Sequence, residues 1–105
     1  MRYIIKRRAR YKITQFYQNV IHKYCHTYSV DQMHKNINEA IDSMYLIEHS
    51  LLRRKPTLKR WQQEGWHMAN AGKWYYAYSV NDGTIIIEDA CQAQNMHEDI
   101  DQINN

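Results

Sequence analysis

Glycine, proline and cysteine are scarce in this chain, and each shortage closes off a class of function. Three glycines, one proline and two cysteines stand among 105 residues. The glycines are too dispersed for a Gly-rich phosphate cradle, and no nucleophile elbow or paired-carboxylate site is visible. Cys25 and Cys91 fall in different elements without metal-motif spacing, so buried free thiols in a reducing cytoplasm are expected rather than a disulfide. Long apolar runs are missing too. The segment Met1–Ile5 is too short for a membrane span or for the apolar core of an export signal. Repeats and an internal linker are also lacking. The expectation is a cytoplasmic protein with no membrane contact, no resident metal and no cofactor.

What is present is aromatic and basic. Nine tyrosines and three tryptophans favour a folded globule over a disordered chain. A chain of 105 residues can bury one core, so one domain is expected over residues 1–97, followed by an acidic tail, 98–105, expected to be mobile. The net charge of +3 is unevenly spread. Residues 1–60 carry thirteen Lys/Arg against four acids, a net +9; residues 61–105 carry one lysine against seven acids, a net −6. Such a basic half suits either a solvated helix surface or an anionic partner, nucleic acid or acidic protein.

Periodicity sets the element order. Tyr3–Lys6 reads as a strand. Ile13, Phe16, Tyr17, Val20, Ile21, Tyr24 and Tyr28 recur at helical spacing. Ser29 and Gln32 fit a capping box for a second helix, whose inner face would hold Val30, Met33, Ile37, Ala40 or Ile41, Met44, Ile47 and Leu51. Pro56 closes the helical half, inside a basic connector Leu51–Arg60. Three strands follow, Gly65–Asn70, Lys73–Val80 and Thr84–Cys91, the last two joined by Asn81-Asp82-Gly83, a hairpin signal. The fold class is therefore α+β: a strand, an antiparallel helical hairpin, then a three-stranded antiparallel meander. Both helices would back one face of a three- to four-stranded antiparallel sheet and leave the other partly open.

Gly72–Val80, the tight turn and Thr84–Ile87, placed after a helical hairpin and a basic connector, resemble the RelE/ParE superfamily of bacterial toxin–antitoxin toxins. The resemblance implies a toxin component neutralised by a cognate antitoxin protein that wraps it. RelE-type members cleave messenger RNA on the ribosome with basic, His or Tyr side chains on the concave sheet face; ParE-type members act on gyrase without them. This chain departs from the ribonuclease pattern. Trp66, Met68 and Asn70 stand where that family often has Lys and Arg, Tyr75 replaces an arginine, and Gln92, Gln94 and Asn95 replace the basic terminal motif.

His67 and His97 are the remaining general acid–base candidates, since imidazole titrates near neutral pH; a strand histidine and a terminal histidine without catalytic roles are the alternatives. Lys55, Lys59, Arg60 and Lys73 are candidate phosphate contacts, with Arg7, Arg8 and Arg10 adding to their field; solvated surface charge is the alternative. Tyr75 is the candidate base-stacking residue, beside Tyr76 and Tyr78; sheet packing is the commoner use of such a run. His22 and His26 have helical pair spacing but no third ligand. Three functional expectations stand: a ribosome-dependent endonuclease, a catalytically silent relative that works by binding alone, or a small structural or interaction domain with no toxin role.

Overall fold

The structure is a computed structural model that describes residues 2–49 and 52–95. Its order is β1 (Arg2–Ile5), α1 (Arg7–Lys23), α2 (Val30–Met44), β2 (Leu52–Arg54), α3 (Lys59–Gln63), β3 (His67–Ala71), β4 (Trp74–Asn81) and β5 (Thr84–Gln92), closed by a 3₁₀ turn Ala93–Asn95. The α+β layout expected from periodicity is present: first strand, helical hairpin, three-stranded meander. The sheet is larger than expected, five strands in the order β1-β5-β4-β3-β2. It is also mixed, because β1 runs parallel to β5, with Tyr3 opposite Ile85 and Ile5 opposite Ile87. Parallel pairing leaves no hairpin signature in the sequence, and a three-residue strand with two arginines reads as a connector.

The turn between β4 and β5 shows why the meander was legible. Asn81 and Thr84 pair across it, and Asp82 and Gly83 both take positive φ, 49° and 75°. That is the conformation two-residue hairpins need, and Asp-Gly supplies it. At the start of α2, Ser29 Oγ accepts from the Gln32 amide at 3.1 Å, as a cap should. The reciprocal half of the box does not form, because the Gln32 carboxamide donates forward to Asn36 Oδ1.

The two faces of the sheet are covered very differently. On one, α1 and α2 lay Ala9, Ile13, Ala40 and Met44, with Ile47 just beyond α2, onto Ala69, Trp74, Tyr76, Tyr78, Ile85, Ile87 and Ala90. The Tyr76 hydroxyl anchors α2 by donating to the Ala40 carbonyl at 2.7 Å, and it meets Ser43 Oγ at 2.9 Å. Burial pushes its pKa from 10.0 up to about 12, the Ser43 hydrogen bond acting in the opposite direction.

The other face is partly open, as expected, with Ile4 at its β1 edge 47% exposed, but its middle is covered. The segment after Pro56 folds across it, seating Leu58 and Trp61 on Met68, Ala77 and Cys91, with Trp66 and Tyr75 alongside. Helix α3 spans five residues and lacks a side-chain cap, so packing rather than propensity holds it. It stops at Gly65 (φ 75°): the Gly65 amide donates to Gln62 O and the Trp66 amide to Trp61 O. This is a Schellman stop, with its usual apolar contact made by the two tryptophans.

Three further expectations need correction. Helix α1 ends at Lys23, so His26 lies beyond it and the His22/His26 spacing is not a helical pair. Cys91 is buried as expected, whereas Cys25 is exposed; both are free. Val30 is exposed, outside the α2 core stripe. The stripe position Leu51, His97 and the acidic tail lie outside the described residues. No helix among the described residues is long and apolar enough to cross a membrane.

Candidate anion-binding face

Strand β1 pairs only with Thr84–Ile87, so beyond that point β5 loses its outer neighbour. An open strand edge invites unwanted pairing, and two devices blunt this one. A bulge interrupts the ladder, where Tyr78 pairs with Ile87 and Ala77 with Asp89, leaving Glu88 as the extra residue. Asp89 then turns inward, its side chain only 2% exposed, and its Oδ1 accepts from the Ala90 amide at 2.9 Å.

A buried carboxylate is costly unless paired, and Asp89 gathers partners from three elements. Lys12 Nζ of α1 lies 2.9 Å from Oδ1. The Trp61 indole donates to Oδ2 at 2.9 Å, and Arg60 Nε stands 3.7 Å from the same oxygen. Lys12 and Arg60 each keep about a third of their side-chain surface exposed, 36% and 35%. The Arg60 guanidinium also lies over the Trp61 ring at 5.7 Å, and the Arg8 guanidinium over Trp66 at 5.9 Å. Asp89 and the two tryptophans therefore bring the start of α1 against α3, joining segments some fifty residues apart.

Both helices begin with cations. Lys6, Arg7, Arg8 and Arg10 crowd the start of α1, and Lys59 and Arg60 open α3. Neither first turn holds an acid, and neither N-cap makes a side-chain hydrogen bond. A helix N-terminus carries positive partial charge, so the cations at the start of seventeen-residue α1 are repelled by its dipole, and those of five-residue α3 more weakly. Of these six cations, Arg60 is the one that meets Asp89 among the described residues. The free protein thus concentrates positive charge where its own backbone disfavours it.

The residues expected to form one site are divided between both sides of the sheet. Lys59 and Arg60 open α3, and Tyr75 packs half-buried on that face. Lys55 is exposed, just ahead of buried Pro56. Lys73 sits instead in the β3–β4 turn and lines a cavity on the helix face, apart from the α3 cluster. His67 is exposed, pairs across the sheet with Tyr78, and rests on that ring at 5.4 Å on the helix side. It faces away from Arg60. His97, the second acid–base candidate, lies outside the described residues.

The chain matches no protein-family model, no curated protein and no solved structure. The site is therefore defined by its own geometry alone. Asp89, Lys12, Trp61 and Trp66 were missed in the sequence reading. The available signal was a pair of acids, Glu88 and Asp89, inside a strand segment flanked by apolar residues, since a buried polar residue is more informative than an exposed apolar one.

Among the described residues, no group of three or more His, Cys, Asp or Glu is placed to hold a metal. A cavity of about 790 Å³ lies on the helix face between the hairpin, the β3–β4 turn and Gln92–Gln94.

Proposed function

We propose that this chain acts by binding rather than by catalysis, engaging an acidic protein surface through the cationic starts of α1 and α3. In the light of the RelE/ParE resemblance, it would be a cytoplasmic toxin component of the non-nuclease kind, with a gyrase-like target and an antitoxin protein to neutralise it. The observation that carries the reading is the pair of uncapped, cationic helix starts, on two helices that Asp89 joins through Lys12 and Arg60. An anion bound there would relieve the repulsion that the free protein sustains. The seating of Leu58 and Trp61 on Met68, Ala77 and Cys91 supports binding over cleavage, because it covers the middle of the surface on which a ribonuclease groove was expected.

The test is strong induction in a bacterial host, with soluble protein confirmed. The wild-type chain should arrest growth. Arg7→Glu with Arg10→Glu and Lys59→Glu should restore it, while His67→Ala should not. Unimpaired growth on wild-type induction would overturn the toxin reading. Ribosome-dependent messenger cleavage that is lost in His67→Ala would replace binding with the endonuclease reading.

A further inference from the structure

The cavity under the helical hairpin is lined by the later turns of α1, away from the cationic starts of α1 and α3, and its chemistry is different. Its volume of about 790 Å³ falls in the range of small-ligand sites. Phe16, Tyr17 and Trp74 form an edge-to-face aromatic wall, with Phe16 and Trp74 rings 5.6 Å apart. Tyr24, half exposed at 50%, and Tyr28 line the hairpin side.

Hydrogen-bond accounting narrows what such a cavity can take. The Tyr17 hydroxyl already accepts from Trp74 Nε1, and the Tyr28 hydroxyl accepts from Asn36 Nδ2 at 2.6 Å. Each phenol oxygen is thus engaged as an acceptor and keeps its O–H to donate. Gln92 Oε1 accepts from the Gln94 amide at 2.7 Å, which leaves the donor end of that carboxamide for another partner. Lys73 adds an ammonium, and among the described residues Glu39 is the one carboxylate on the wall. The lining therefore suits a flat, acceptor-rich ligand with one anionic group and one amine. Aromatic walls with carboxamides are how proteins hold an unstacked base.

We propose that this cavity is a nucleotide site, stacking a base against its tyrosines and placing the phosphate at Lys73. The inference does not rest on the function proposed for the α1–α3 face. Free mononucleotides and an unpaired nucleotide within a strand share this chemistry, and the experiment separates them. The isotope-labelled full chain would be titrated with adenosine monophosphate, adenosine, inorganic phosphate and a short single-stranded oligoadenylate, following amide shifts.

Adenosine monophosphate should move Tyr24, Lys73, Trp74 and Gln94 saturably, with adenosine about ten-fold weaker, the size of one charged hydrogen bond. Lys73→Ala should remove that difference, and Tyr28→Phe should weaken both ligands while leaving the spectrum folded. Shifts at these residues with the oligonucleotide alone would assign the site to a strand. The proposal is overturned if none of the four ligands moves these residues. It is equally overturned if phosphate alone binds as well as the nucleotide, or if shifts are confined to the starts of α1 and α3.

Discussion

The two faces of the sheet solve the same problem with unequal means. The helix face buries a broad apolar set under thirty-two helical residues of α1 and α2, and its polar contacts, such as Tyr76 to Ala40, are neutral. The α3 face has five helical residues, one buried tryptophan and a buried carboxylate holding two cations. A thick apolar layer gives stability without displaying charge. A thin one, pinned by an ion cluster, displays charge at some cost in stability. The difference teaches that the α3 face is shaped by what it presents outward, and the helix face by what it encloses.

The sharpest way to break the comparison is Trp61→Ala. Removing the one large side chain that seats α3 should cost about 4 kcal/mol in denaturant unfolding. Hydrogen exchange should then show α3 opening while α1 and α2 stay protected. A uniform loss of protection would mean that the faces are not separable.

Asp89→Ala comes next, at about 3 kcal/mol, because it removes the carboxylate shared by Lys12, Arg60 and the Trp61 indole at once. The figure is at the low end for a buried pair, since solvent reaches both cations. The double variant with Trp61→Ala should cost less than the two effects added, as contacting residues couple.

Tyr76 probes the helix face by pH. Its raised pKa means the folded state holds this proton where the unfolded chain releases it. The contribution is fully present below pH 10 and is lost as pH rises toward about 12. Wild type should lose roughly 2 kcal/mol more than Tyr76→Phe across that window, read from unfolding at successive pH values. Equal losses would mean that the hydroxyl does not stay protonated in the fold.

Legibility in the sequence followed the range of the interactions. The β4–β5 hairpin and the Ser29 cap were readable because Asp82-Gly83 and Ser29 act within a few residues. The helical stripes were readable because a 3.6-residue period marks a buried face. The parallel β1–β5 pairing was not, since its partners lie about eighty residues apart and nothing local encodes it. Helix α3 was hidden by its charges: Lys59 and Arg60 read as connector, and only packing of Leu58 and Trp61 makes them helical. The site was legible by half. Lys59, Arg60 and Arg8 were marked as cations, but the carboxylate that draws Lys12 and Arg60 together follows the apolar run Ile85–Ile87 beside Glu88, and nothing local says which of the two acids turns inward.

The smallest expected effect bears most directly on the claim that the α1 and α3 starts are kept cationic for an anion. Arg7→Gln, Arg10→Gln and Lys59→Gln should each stabilise the isolated chain by about 0.3 to 1 kcal/mol, through relief of dipole repulsion. Thermal unfolding of the triple variant and wild type, with and without polyphosphate, measures both halves of the claim. The account predicts a higher Tm for the variant alone and a polyphosphate-induced rise in Tm for wild type that the variant largely loses. A variant that melts lower by itself, or one that responds to polyphosphate as wild type does, would contradict it.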